Sequence, residues 1–218
     1  MARVLFVARW TLGTCGGWVA GLVAWFALVW LGWEALPHLL RLPYNALNVW
    51  RLAVYVLALA ALGACVAYGQ WQAAFRGRVF PGWDWVRAGA AGGALALLAF
   101  VLASLLPLPV FPPEFGLSDN PALWRVEATW LPGTLLFGLA LGVCVGLPQA
   151  LVIRRYLRGA RWWLLAALLA CSLCALAFVL VVQRWGGGFW PLLLNTLLPP
   201  LLFGALTGVA MLRYVNKG

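Results

Sequence analysis

Charged residues are scarce in this sequence. Asp, Glu, Lys and Arg make up 9% of the 218 residues, against 65% hydrophobic residues and a mean hydropathy of +0.95. A soluble domain has about 25% charged residues, so this chain lacks the charge that a water-facing surface requires. The composition therefore predicts an integral membrane protein in which lipid is the solvent for most side chains.

Acidic residues are rarer than basic ones. Five Asp and Glu stand against 15 Lys and Arg, which gives a net charge of +10. In a soluble protein such an excess would suggest a nucleic-acid partner. Here the basic residues lie at the ends of apolar runs, where positive charge orients helices in a membrane. We therefore expect no nucleic-acid partner and instead expect contact with anionic lipids.

Groups that carry catalysis are also missing. The sequence has no His-Glu-x-x-His, no Gly-x-Ser-x-Gly and no Gly-x-x-x-x-Gly-Lys motif. No carboxylate, Lys or Arg lies deep inside a predicted helix, although ion-coupled transporters usually keep such groups. These absences predict that the protein is not an enzyme, and they disfavour secondary transport.

Histidine and cysteine offer little for a cofactor. His38 is the only histidine, which excludes a bis-histidine haem within the chain. Two interpretations of His38 stay open: an axial ligand of a chlorophyll-type pigment, or an interfacial polar group near Glu34. The five cysteines lie in apolar runs, where disulfides are not expected. Cys171 and Cys174 share a helix face that could hold a metal, but we interpret all five as packing residues and predict no metal site.

Six apolar runs are present, and they predict six transmembrane helices in one transmembrane domain. The predicted helices cover about 10–31, 52–72, 88–106, 132–153, 162–182 and 198–214. The last helix is placed after 197 because Pro199 and Pro200 would disrupt an earlier start. The three outer segments, 34–50, 107–130 and 186–197, are expected to be interfacial or re-entrant.

The basic residues are distributed unequally between the two sides of these helices. One side carries Arg3, Arg9, Arg76, Arg78, Arg87, Arg154, Arg155, Arg158, Arg161, Arg213 and Lys217. The other side carries Arg41, Arg51, Arg125 and Arg184. Positive residues concentrate on the cytoplasmic side, so we predict a multi-pass protein of the bacterial inner membrane with both termini in the cytoplasm.

The chain contains an internal repeat. Gly142, Cys144, Val145, Gln149, Arg155, Trp162, Ala167 and Ala170 repeat the residues found 79 positions earlier, from Gly63 to Ala91. Trp10, Trp85 and Trp163 each precede a run of small residues. We therefore predict an all-α fold of three tandem helical hairpins of parallel sense, at about 1–78, 79–157 and 158–218.

The two inner turns of this repeat resemble a group of bacterial polytopic membrane proteins with a repeated Gln-Trp-Leu-Val-Leu-Arg-Arg signature. The segment from Gln149 to Arg155 reads Gln-Ala-Leu-Val-Ile-Arg-Arg, and the segment from Gln70 to Arg76 keeps Gln-Trp and the final Arg. The third hairpin lacks the signature. The resemblance implies a polytopic membrane fold built from repeats and implies no activity, because the group has none assigned.

Gln70 and Gln149 are the candidate site residues of this repeat. Each amide is expected to satisfy carbonyls at a helix end or to bridge to a neighbouring helix. Alternatively, the two amides line a pocket for a lipid or quinone head group, with Arg76 and Arg155 nearby. His38 completes the set of candidate binding residues.

Eleven of the fifteen tryptophans are interpreted as two belts at head-group depth. Trp83, Trp85, Trp162 and Trp163 are assigned to the inner belt. Trp30, Trp33, Trp50, Trp124, Trp130, Trp185 and Trp190 are assigned to the outer belt. Stacking of some rings on a carotenoid, quinone or pigment is the alternative.

These patterns favour a non-enzymatic accessory or scaffold subunit of a larger bacterial membrane assembly, such as a respiratory or photosynthetic complex. The expected partners are other membrane subunits and the anionic lipid bilayer. Two alternatives stay open: a binding protein for a lipid, quinone, carotenoid or pigment, and a small membrane permease.

Overall fold

The structure is a computed structural model, and it describes residues 2–40, 44–74, 81–105, 130–157, 159–185 and 189–215. These residues are almost entirely helical, and no strand occurs among them. The helices are α1 (Ala2–Trp30), α2 (Leu36–Leu40), α3 (Tyr44–Ala74), α4 (Gly82–Leu105), α5 (Trp130–Tyr156), α6 (Arg161–Trp185) and α7 (Phe189–Val215), with a π-helical turn at Leu31–Ala35.

Six helical stretches are long and apolar enough to cross a membrane. They correspond to α1 with its continuation into α2, and to α3, α4, α5, α6 and α7. The predicted all-helical class and the predicted count of six apolar helices are thereby confirmed. The hairpin repeat and the cytoplasmic location of the termini stay predictions.

The first predicted helix end is wrong by several residues. The chain stays helical past 31, because the π-helical turn connects α1 directly to α2. In this turn the Leu36 N–H donates to the Leu31 carbonyl, five residues back. The Trp50 Nε1–H of α3 donates to the Gly32 carbonyl at 2.6 Å, which attaches the turn to the neighbouring helix. The second helix likewise begins at Tyr44, well before its predicted start.

The predicted start of the last helix is also wrong. Helix α7 begins at Phe189 and passes through Pro199 and Pro200 without ending. Each proline removes one backbone donor. In an apolar environment a helix still tolerates proline when the carbonyls that lose this donor find other partners. The carbonyls that lose their helical donors are those of Asn195 and Thr196. The Cys174 thiol of α6 donates at 3.3 Å to the nearby Pro199 carbonyl, which attaches this part of α7 to α6. The segment from 189 to 197 is therefore helical, while 186–188 lies outside the described residues, as does 107–129 of the long outer segment.

The six long helices form a closed ring. Helix α1 contacts α3, α3 contacts α4, α4 contacts α5, α5 contacts α6 and α6 contacts α7, and α7 returns to contact α1. Glycines permit these close approaches. A Cβ placed on Gly142 of α5 would lie 2.7 Å from the Leu168 Cα of α6. A Cβ on Gly92 of α4 would lie 2.9 Å from the Val145 carbonyl oxygen of α5.

Candidate functional site

Three tryptophans meet inside the ring. Trp10 of α1, Trp85 of α4 and Trp163 of α6 are each 0% exposed. Their ring centroids lie 6.1 Å apart for Trp10 and Trp85, 5.9 Å for Trp10 and Trp163, and 5.3 Å for Trp85 and Trp163. All three pairs have the edge-to-face geometry that aromatic rings favour. We call this cluster the tryptophan hub.

The position of the hub follows from the order of the helices. Helices α1, α4 and α6 are alternate members of the ring, so another helix separates each pair around the circumference. Their side chains can therefore meet only through the interior. Small buried residues follow each tryptophan by about one turn and make room for the rings: Thr14, Ala88, Gly89 and Ala167.

A chain of hydrogen bonds joins the hub to the helices beside α1. The Trp10 Nε1–H donates to the Thr207 hydroxyl of α7 at 3.0 Å. That hydroxyl donates to the Phe203 carbonyl at 2.6 Å. On the other side of α1, the Gln70 amide Nε2–H donates to the Thr14 hydroxyl at 3.2 Å, and Thr14 donates to the Trp10 carbonyl at 2.9 Å. Neutral polar groups thus connect α3, α1 and α7.

Both candidate glutamines lie inside the bundle. Gln70 is 0% exposed and Gln149 is 2% exposed. Gln70 bridges α3 to α1 through Thr14, as the helix-bridging interpretation expects. The Oε1 atoms of Gln70 and Gln149 are both buried without a hydrogen-bond partner among the described residues. A buried amide oxygen without a partner carries a desolvation cost of about 1–3 kcal/mol, so a further hydrogen-bond donor at either oxygen would stabilise the site.

The other candidate residues do not join the glutamines. Arg155 is exposed, whereas Gln149, six residues earlier on α5, is buried, so the two side chains lie on different faces. His38 is exposed on α2 and lies about 40 Å from Trp10 along the helical path. Arg76 lies outside the described residues. The structure therefore places the buried amides apart from Arg155 and His38.

Two of the four tryptophans assigned to the inner belt do not belong to it. Trp83 is 72% exposed and Trp162 is 41% exposed, as a head-group belt requires. Trp85 and Trp163 instead point into the bundle and form the hub. Thr14 and Thr207 were not identified from the sequence. The available signal was a threonine one turn after Trp10, and another between two glycines of α7.

A second aromatic cluster lies where α1 passes into the π-helical turn. The Trp33 and Tyr55 rings contact edge to face with centroids 4.9 Å apart, and the Trp25 ring lies 6.4 Å from Tyr55. The Arg51 guanidinium carbon lies 5.2 Å from the Trp33 ring centroid, a cation–π distance. This outer aromatic cluster, Trp25, Trp33, Arg51 and Tyr55, suits an anchor at the membrane–water boundary.

Metal ligands are not gathered at either cluster. No group of three or more His, Cys, Asp or Glu able to hold a metal ion occurs in the described part of the chain. All five cysteines are free thiols. Cys171 is buried, and the other four are half-buried.

No protein-family model matches this chain, and no curated protein or solved structure is significantly similar to it. The resemblance at the inner turns therefore rests on the residues from Gln70 to Arg76 and from Gln149 to Arg155.

Proposed function

We propose that this chain is a non-enzymatic polytopic protein of the bacterial inner membrane that serves as an accessory or scaffold subunit of a larger assembly. A respiratory or photosynthetic complex is the assembly that such a subunit fits. The observation that carries the proposal is the tryptophan hub, because it fills the interior of the helix ring with side chains that have no exposed surface.

A filled interior argues against the permease alternative. A permease needs a path through its bundle lined by groups that replace water around the solute. Here three indoles contact one another across the ring at one end. Further along the bundle, Ala99 and Phe137 are buried and pack together. The hydroxyls of Thr14 and Thr207 are engaged in hydrogen bonds between helices and within them.

The outer surface is the part of the molecule that is free to bind a partner. Large apolar side chains are exposed on every long helix, as lipid or another membrane subunit requires: Leu12 70%, Leu57 63%, Leu98 49%, Leu151 51%, Leu169 60% and Val209 58%. A rigid interior with an apolar exterior fits a subunit that shapes or spaces its neighbours.

The charge pattern supports the proposed orientation. Arg9, Arg87 and Arg161 are exposed, and each lies within two residues of a hub tryptophan. The hub end of the ring is therefore the positive end, which faces the cytoplasm by the positive-inside rule. The recurrence of one hub tryptophan at the start of α4, of α6 and near the start of α1 supports the threefold duplication into hairpins of parallel sense.

Purification from the native membrane tests the proposal. We expect the tagged chain, extracted in a mild detergent, to migrate with other membrane proteins at a fixed ratio. Gly16→Leu provides a surface probe that keeps the fold, because a Cβ at Gly16 meets nothing within 4 Å. Native electrophoresis with mass spectrometry measures this ratio for the unmodified chain and for Gly16→Leu. A chain that migrates alone, with no stoichiometric partner, would refute the scaffold function.

One observation favours the binding of a lipophilic ligand as a second candidate. The Oε1 atoms of Gln70 and Gln149 have no partner among the described residues, and both could accept from a bound molecule. This candidate predicts that a lipid, quinone, carotenoid or pigment co-purifies at defined stoichiometry and is lost in Gln149→Leu. Extraction of the purified protein and mass spectrometry of the extract would show it.

A further inference from the structure

The unpaired amide oxygen of Gln149 lies at the level of an unpaired indole N–H. The Trp163 Nε1–H has no hydrogen-bond partner among the described residues, and Trp163 is 0% exposed. Gln149 is 2% exposed, and its Oε1 is the unpaired acceptor. One buried donor and one buried acceptor are thus left unsatisfied in a medium that contains no bulk water.

The register of α5 against α6 places these two residues at a similar level of the bundle. Along this antiparallel pair, Gly138 meets Ser172, Gly142 meets Leu168, and Gly146 meets Leu164 and Ala167. Three residues further along α5, Gln149 is therefore opposite the segment that contains Trp163. Trp163 also belongs to the buried cluster that includes Ala150 and Ile153, which flank Gln149 on the same stretch of α5.

A second acceptor lies close to Gln149 on its own helix. Pro148 has no N–H, so the carbonyl four residues earlier, at Cys144, loses its usual helical donor. This carbonyl points along α5 towards Pro148, and it lies on the side of α5 that faces α4, where a Cβ on Gly92 would lie 3.4 Å from its oxygen. The site therefore offers one donor, the Trp163 N–H, and two acceptors, the Gln149 Oε1 and the Cys144 carbonyl.

We propose that an ordered internal water molecule occupies this position, accepting from the Trp163 Nε1–H and donating to the Gln149 Oε1 and the Cys144 carbonyl. A buried water typically makes about three hydrogen bonds to groups that would otherwise be unsatisfied, and this donor and acceptor set matches that requirement. The water joins α5 to α6 from the interior of the ring beside the hub, as the Thr207 hydroxyl joins α7 to α1.

The closeness of the helices favours water over a larger molecule. On the α6 side, a Cβ on Gly146 would lie 2.6 Å from the Ala167 Cβ. On the α4 side, a Cβ on Gly92 would lie 3.1 Å from the Val145 Cα. A lipid or quinone head group would have to separate backbones that are already in contact. This inference rests on the fold and holds whether or not the scaffold function is correct.

The experiment is an indole NMR measurement on the full chain in lipid nanodiscs. With ¹⁵N-labelled tryptophan, and the Trp163 signal assigned from Trp163→Phe, we expect a cross-peak between the Trp163 indole proton and a long-lived water. The Trp10 indole, which donates to Thr207, is the internal control without such a water. Gln149→Met should abolish the Trp163 cross-peak, and the matched variant Gln70→Met should keep it.

The wild-type spectrum decides the question even if Gln149→Met does not fold. A water cross-peak at the Trp163 indole supports the assignment. Its absence overturns the assignment, whether the indole donates directly to Gln149 or to nothing. Cross-peaks from the Trp163 indole to lipid or quinone protons also overturn it, and they would support the lipophilic-ligand candidate instead. None of these results depends on whether the chain has a protein partner.

Discussion

The two ends of the helix ring use the same side chain in different ways. At the hub end, Trp10, Trp85 and Trp163 are fully buried and contact one another across the interior. At the opposite end of α1, Trp30 is 63% exposed, and Trp33 is half-buried against Tyr55 and Arg51. Tryptophan therefore fills the axis at one end and anchors the helices at the other.

This difference has an energetic consequence. A side chain removed from the hub leaves a cavity that the surrounding rigid helices cannot fill. A side chain removed from the outer surface is replaced by lipid, whose tails are as apolar as the side chain itself. Stability should therefore depend strongly on the hub end and weakly on the outer aromatic cluster.

The neighbours Trp162 and Trp163 give the largest expected contrast. Trp163→Ala should lower the free energy of unfolding by about 3 kcal/mol, because it removes a buried ring that contacts both other hub tryptophans. Trp162→Ala should lower it by about 0.5 kcal/mol or less, since Trp162 is 41% exposed. SDS-induced unfolding in mixed micelles, followed by circular dichroism, measures both. Equal effects of the two substitutions would contradict the conclusion that the hub tryptophans fill the interior of the ring.

Two glycines of α1 give the next contrast. A Cβ at Gly17 would lie 2.7 Å from the Val66 Cα and against the Cys65 carbonyl, so Gly17→Ala must push α3 away from α1. We expect a loss of about 2 kcal/mol, typical of an overpacked interface. Gly16→Ala, one residue away, faces open space and should cause no loss. The same unfolding assay applies, and a stable Gly17→Ala variant would show that the helices are further apart than described.

The hydrogen bond between Trp10 and Thr207 should contribute less than packing does. Thr207→Val removes the acceptor of the Trp10 Nε1–H while keeping the side-chain shape. Hydrogen bonds between helices in membranes contribute about 1 kcal/mol, so we expect a loss of that size. Thr207→Ser keeps the hydroxyl and should retain most of the stability. If Ser and Val are equally destabilising, the methyl group of Thr207 matters and the hydrogen bond does not.

The outer aromatic cluster should give the smallest effect. Arg51→Gln removes the cation from the Trp33 ring, and we expect a loss of about 0.5 kcal/mol because Arg51 is exposed. Arg51→Lys keeps the charge and serves as the control. A loss from Arg51→Gln as large as that from Trp163→Ala would remove the contrast between the two ends.

Much of this architecture was predictable from the sequence. Composition and the lengths of the apolar runs sufficed for six helices. The shared register of Trp10, Trp85 and Trp163 was visible because each precedes a run of small residues. That the three rings meet was not predictable, because membrane helices are apolar on all sides and hydrophobic periodicity does not mark the inward face. The belt assignment failed for Trp85 and Trp163 for this reason.

The helix ends were predicted less well than the helices. Hydropathy falls near Glu34 and His38, but the backbone continues as helix through the π-helical turn, where Trp50 holds the Gly32 carbonyl. Pro199 and Pro200 signalled a break, but α7 continues through them, packed against α6 and attached to it by the Cys174 thiol. Both errors arise from contacts between helices, which a local pattern does not contain.

The most direct test of the filled axis is an experimental density map of the chain in lipid nanodiscs, at a resolution that shows indole rings. The structure predicts that Trp10, Trp85 and Trp163 occupy the interior, with ring centroids 5.3–6.1 Å apart. A map in which these rings face lipid, around an axis filled by water or by a bound molecule, would contradict it.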